Sequence, residues 1–150
     1  MSQRGGSVVT YVRYGDDVYS PVINHGEADF ILSFEQLESA RFLPYLKKGG
    51  TIVSNTKTIN PMPVIAGKAV YPENIIEKIR AKGVNLISCD ATGIAAEAGN
   101  PKAANVVLIG VLSNHLDIGK ENLREAVKSL VPEKFLELNL RAFDMGAEIK

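Results

Sequence analysis

The chain has 150 residues, 45% of them hydrophobic and 23% charged, the profile of one globular domain large enough to bury a core. Its 17 Lys+Arg balance 17 Asp+Glu, which gives no electrostatic case for nucleic acid or an anionic membrane surface; any basic patch has to be local. A single cysteine, Cys89, excludes an internal disulfide and a cysteine-ligated zinc or iron–sulfur site.

The opening Ser2-Gln3-Arg4-Gly5-Gly6-Ser7 sets two glycines beside one guanidinium, with no acid among them. Glycine allows close approach of another group, and arginine offers a planar fork for carboxylate or phosphate. Two readings stand: a loop that holds an anion or a partner's backbone, and an ordinary loop with a solvated arginine. Residues 7–14 alternate, with Val8, Thr10 and Val12 on one face, and predict a strand. Gly15-Asp16-Asp17 is a turn signal and Val18-Tyr19-Ser20 a returning strand stopped by Pro21, so a β-hairpin is expected.

Ala28 to Phe34 is nearly continuous apolar, the mark of a strand buried on both faces. Glu35 to Lys48 predicts a helix with a break at Pro44, terminated by Gly49-Gly50. Thr51 to Asn55 is the next buried strand, closing a βαβ unit. Thr56 to Val70 reads as irregular, because prolines on both sides of Met62 disfavour helix. Pro72 at the first helical position and Ile75, Ile76 and Ile79 at helical spacing predict a helix from Glu73 to Lys82, capped by Gly83. Val84 to Cys89 is a third strand.

Asp90 opens a helix to Ala98, ended by Gly99-Asn100-Pro101. A helix from Ala103 to Leu116 is apolar on most sides and has to be buried or lie at an interface. Helices at 120–131 and 132–150 complete the chain. The expected fold is α/β and Rossmann-like: a partly parallel sheet with a β-hairpin and a helical C-terminal third.

In such sheets ligands bind outside the carboxyl ends of the strands, here Ser33-Phe34-Glu35, Asn55-Thr56-Lys57 and Cys89-Asp90-Ala91. Asn55-Thr56-Lys57 reads as a crevice lining or as turn chemistry with a surface lysine. Cys89 reads as a small buried hydrophobe and Asp90 as a helix cap, since an adjacent acid raises a thiol pKa. Glu35 and Glu38 are spaced to form a carboxylate pair, although an acid favoured by a helix N-terminus accounts for Glu35 as well. His25 has no partner at a motif spacing and reads as a loop residue. No GxGxxG, P-loop, HExxH or GxSxG occurs, so no complete catalytic constellation is present and no catalytic or metal-ligating residue is assigned. No apolar run reaches the ~18 residues of a membrane span and no signal pattern opens the chain, so a cytoplasmic protein is expected.

Met1 to Val9, Val12-Arg13 and Gly15 to Pro21 resemble the gamma-type subunits of 2-oxoacid:ferredoxin oxidoreductases, in particular the indolepyruvate branch. The likeness continues through Leu43 to Gly50, Ile59 to Val64, Tyr71-Pro72, Ala96 to Asn100, Asn105 to Gly110, Asn139, Ala142-Phe143 and Gly146. It implies that residues 1–150 are a single pyruvate/ketoisovalerate oxidoreductase (gamma) domain in a complex that decarboxylates an arylpyruvate to an acyl-CoA and reduces ferredoxin. The resemblance places thiamine diphosphate and iron–sulfur clusters on a large partner subunit, with coenzyme A near the interface and no turnover by this chain alone. Gln3, Arg4, Gly5, Gly6, Ser7 and Asn55 are the residues it points to for cofactor or interface contact.

The sequence departs from this family at the front. Members begin with a strand and a Gly-x-Gly-Gly-Gln-Gly turn into a helix; residues 1–150 contain no such turn. A βαβ unit of roughly 35–40 residues is therefore expected to be missing, leaving an interior strand exposed. Two other roles remain at this point. One is a stand-alone nucleotide- or CoA-binding module. The other is a homodimer or larger homo-oligomer pairing through the sheet edge and the helix around Val106 to Leu112.

Overall fold

A computed structural model describes residues 7–150 of the chain. Three parallel strands, β1 (Ala28–Ser33), β2 (Leu46–Asn55) and β3 (Asn85–Cys89), form one sheet in the order β1-β2-β3. The expected α/β fold with a parallel sheet is therefore present. Register across the sheet brings Ile31, Ile52 and Leu86 into one row and Leu32, Val53 and Ile87 into the next. Because side chains alternate along a strand, the two rows face opposite ways and both find cover.

The first row lies under α1 (Gln36–Phe42) and α3 (Ile75–Arg80), where Ile52, Ile75 and Ile79 form a small core with Leu37 and Leu43. The second row meets the larger core, built from α4 (Ala91–Ala98), α5 (Ala104–Ser113), α6 (Lys120–Leu130) and α7 (Leu136–Ala147). Val53, Val107, Leu108, Val111 and Phe143 are fully buried there. A short turn, α2 (Met62–Ile65), sits between β2 and α3.

Helices α5 and α7 cross at backbone distance. A Cβ added to Gly110 would lie 2.2 Å from the carbonyl oxygen of Phe143, and one on Gly146 would lie 2.1 Å from that of Val107. Neither position has room for a methyl group, so these glycines set the depth of the crossing. Most of the apolar side chains of α5 are consumed in the core of the chain.

Several expectations are corrected. Residues 7–27 contain no strand, so the hairpin is absent. A two-stranded ribbon is marginal without a third strand or a face to lie on, and Val8, Val12 and Tyr19 remain 71%, 73% and 92% exposed. The segment still doubles back, with Arg13 donating to the Val22 carbonyl at 2.8 Å and Tyr14 to Asp117 at 3.1 Å. Helix α1 stops at Phe42, followed by a 3-10 turn over Leu43–Tyr45 that contains Pro44. Lys47-Lys48 and Gly49-Gly50 do not end a helix; they belong to β2.

Pro72 does not begin α3, which is entered through Asn74 in the left-handed region at φ 55°. The prolines around Met62 start a helical turn, where their fixed φ suits the first positions. The helices expected at 103–116 and 132–150 are shorter: α5 ends at Ser113, and a 3-10 turn over Glu133–Phe135 precedes α7.

Candidate functional site at the carboxyl ends of the strands

The three strands end together, and the next residues turn out over the sheet. Ser33, Ser54 and Ser88 occupy one row, Ser33 pairing with Ser54 and Ser54 with Ser88. Ser33 donates to the Glu35 carbonyl at 2.6 Å, and Ser54 shares a 2.7 Å hydrogen bond with Ser39 of α1. These buried hydroxyls satisfy each other and the backbone, which is what keeps polar groups tolerable at a strand end.

Glu35 caps α1. Its Oε2 accepts from the Glu38 amide at 3.1 Å, while Oε1 accepts from the Ile59 amide at 3.4 Å and from the Tyr71 hydroxyl. The residue is 5% exposed. Burial, and then the neighbouring Glu35 carboxylate, push the Tyr71 phenol well above its ordinary value. One carboxylate thus pins the 56–71 excursion at both ends, and further ties hold its start. Gln36 donates through its amide to the Lys57 carbonyl and through its side chain to Thr58, and Thr56 donates to the Cys89 carbonyl at 3.0 Å.

Asn55 is 2% exposed. Its Nδ2 donates to the Phe34 carbonyl at 3.3 Å and to Thr92 Oγ1 at 3.0 Å, and its Oδ1 accepts from the Lys57 amide at 3.4 Å. The side chain therefore ties β1, β2 and α4 together at the rim. Asp90 caps α4 by accepting from the Gly93 amide at 2.9 Å, and a Cβ on Gly93 would stand 2.4 Å from the same carboxylate. Burial first, and Asp90 second, raise the Cys89 thiol above its ordinary value, which keeps it protonated and unreactive.

The sequence-derived candidates separate clearly. Gln3, Arg4, Gly5 and Gly6 lie outside the described residues. Ser7 is exposed, and its hydroxyl accepts from Arg41 of α1 at 3.4 Å. Asn55 stands at the strand ends as expected, with its amide nitrogen committed internally. Glu35 and Glu38 do not form a carboxylate pair, because Glu35 points into the sheet end while Glu38 holds Arg41 at 2.6 Å. His25 packs edge-on against Tyr45 with ring centroids 4.4 Å apart. Sequence reasoning missed Tyr71 and Thr92. Nothing local marks either one, since their partners lie 36 and 37 positions away.

The hydrogen bonds of this rim fix the strand ends relative to one another. The Cys89 thiol at the rim is raised and not activated, and no group of three or more His, Cys, Asp or Glu side chains able to hold a metal occurs among the described residues. Phe34 and Ile59, 52% and 54% exposed, add apolar surface beside it. No helix among the described residues is long and apolar enough to cross a membrane.

Known proteins resemble the chain in both sequence and fold. The sequence profile described as pyruvate ferredoxin/flavodoxin oxidoreductase matches residues 1–149. The indolepyruvate oxidoreductase subunit IorB of Thermococcus kodakarensis is 43% identical over 99% of this chain and 76% of its own length. The subunit of the same name from Archaeoglobus fulgidus is 39% identical over 97% of this chain and 74% of its own. Among solved structures, the gamma subunit of keto/oxoacid ferredoxin oxidoreductase from Geobacter sulfurreducens aligns with a TM-score of 0.60 at 26% identity, covering 85% of this chain and 66% of that one. A 2-oxoglutarate:ferredoxin oxidoreductase from Magnetococcus marinus, 22% identical with a TM-score of 0.61, shares the fold over 89% of this chain and 21% of its own.

Proposed function

The chain belongs to the pyruvate ferredoxin/flavodoxin oxidoreductase family, and from that premise we propose that it works as the small, gamma-type subunit of an indolepyruvate oxidoreductase. The observation that carries this reading is the 43% identity to an IorB subunit across 99% of the chain. The complex would convert an arylpyruvate to its acyl-CoA by oxidative decarboxylation and pass the electrons to ferredoxin. Residues 1–150 form one gamma-type domain in this reading, and the complex acts in the cytoplasm.

The donor inventory supports a division of labour. A cysteine-ligated iron–sulfur cluster takes four thiolates, and this chain has only Cys89. Thiamine diphosphate and the clusters are assigned to the large partner subunit. This chain contributes a shaped wall. The Glu35, Asn55 and serine hydrogen bonds hold the strand ends in place, and Gln3, Arg4, Gly5, Gly6 and Ser7 are assigned to contact with coenzyme A or the partner. Asn55 positions the rim through both hydrogens of its amide nitrogen, and its carboxamide oxygen is the atom left to meet the ligand or the partner.

Co-expression with the large thiamine-binding subunit tests the reading. The two chains are expected to co-purify, and indolepyruvate- and coenzyme A-dependent ferredoxin reduction is expected only when both are present. Full activity of the large subunit without this chain would overturn the assignment.

A further inference from the structure

A concavity lies at the opposite, amino-terminal ends of the strands. Ala28 pairs with Leu46 and Phe30 with Thr51, so Lys47, Lys48, Gly49 and Gly50 together stand opposite Asp29 alone. The extra residues bulge out of β2. Gly49 makes the turn at φ 81°, and a Cβ on Gly50 would stand 2.8 Å from the Leu46 side chain and 2.9 Å from the Asp29 carbonyl oxygen. Asn85 Nδ2 donates to the Gly49 carbonyl at 3.2 Å and fastens the bulge to the start of β3. The facing wall is the Lys82-Gly83 turn after α3, and about 440 Å³ of space lies between the two.

The charges around this space do not cancel. Lys47, Lys48 and Lys82 line it, and no carboxylate does. Lys47 pairs with Asp29; neither Lys48 nor Lys82 is in an ion pair among the described residues. The plainer role for Lys82 is to complement the carboxyl end of α3. That helix is only six residues long, however, and the carbonyls of Glu77, Ile79 and Arg80 already accept from the Ala81, Lys82 and Gly83 amides. Leu43, Leu46 and Val84 supply an apolar floor.

We infer that the cleft between the β2 bulge and the Lys82-Gly83 turn binds a small diphosphate. Lys48 and Lys82 take the charge, and the apolar floor takes an organic part where the ligand has one. Lysine binds phosphate as a mobile point charge and needs no fixed fork geometry, which suits a cleft whose cations are exposed. The inference concerns the end of the sheet away from the candidate rim and does not depend on the subunit assignment.

Calorimetric titration of the full chain at low salt, with inorganic pyrophosphate and with ADP, tests it. Saturable binding of both is expected. Tighter binding of ADP would identify an organic diphosphate as the ligand, and equal binding would identify the inorganic ion. Lys48→Gln combined with Lys82→Gln should weaken either ligand by about tenfold or more, as loss of two near-surface charges predicts. Asp29→Asn, which frees Lys47, should tighten binding, and it keeps the test decisive should the double variant fail to fold. The absence of saturable binding, or affinities unmoved by both sets of substitutions, would overturn the proposal.

Discussion

Helix α5 and the segment 7–27 draw on similar side chains. α5 carries Val106, Val107 and Val111; the segment carries Val8, Val9, Val12, Val18 and Val22 with three tyrosines. In α5 the valines are buried, whereas in 7–27 most of the apolar side chains face solvent. The difference lies in the backbone. A helix satisfies its own amides and carbonyls and can enter a core whole. An extended segment needs another strand beside it before its side chains can leave water. Apolar content alone therefore did not decide burial in this chain. The availability of a backbone partner did.

The largest test of that contrast is at the helix crossing. Gly146→Ala places a Cβ 2.1 Å from the Val107 carbonyl oxygen, so the helices have to separate. We expect a loss on the order of 3 kcal/mol, despite the ~1 kcal/mol of helix propensity that alanine brings. Chemical denaturation of the chain followed by circular dichroism measures it, and an unchanged midpoint would mean that the crossing is not closely packed in solution.

A smaller effect is expected where the packed region meets solvent. Arg124 of α6 grips Asp144 of α7 through Nε and Nη2 at 2.9 and 3.0 Å. The guanidinium holds the Asp144 carboxyl below its ordinary 3.8. A depressed carboxylate stabilises the fold above its unfolded value and loses that contribution as pH falls through the folded one. Arg124→Ala should therefore lower thermal stability at neutral pH. The gap from the unsubstituted chain should close as pH drops below the ordinary carboxylate range. A gap that persists at low pH would assign the effect to packing instead of charge.

The smallest effect belongs to the exposed segment. Tyr19→Ser removes a side chain that is 92% exposed, and stability should change by less than about 0.5 kcal/mol. A larger loss in the same denaturation experiment would show that residues 7–27 are partnered in solution, and the contrast drawn above would fail.

The strands at 28–33 and 85–89 and most of the helices were legible in the sequence, because apolar runs, helical spacing and Gly or Pro punctuation are local signals. The Asp90 cap was legible for the same reason, lying three residues before the Gly93 amide it accepts from. The rim was less so. Asn55 could be placed at a strand end, but its reach to Phe34 and Thr92 follows from which strand and helix lie beside it. Glu35 could be read as a helix cap, yet its grip on Tyr71 joins residues that only the packing of the 56–71 excursion brings together. The lysine cleft was hidden in a net charge of zero, since Lys82 meets Lys47 and Lys48 only once β3 is laid beside β2.

The sequence by itself determined the α/β class, the parallel strands, the family resemblance and the lack of a complete catalytic motif, all of which rest on short-range pattern or on residue inventory. Tertiary structure alone decided that Gly49 and Gly50 form a strand bulge and not a helix end. It also decided that Gly110 and Gly146 set a helix crossing and that the valines of 7–27 stay in water. Each of these depends on what backbone lies across from the residue, and that is fixed by long-range pairing and close packing, which no local pattern encodes.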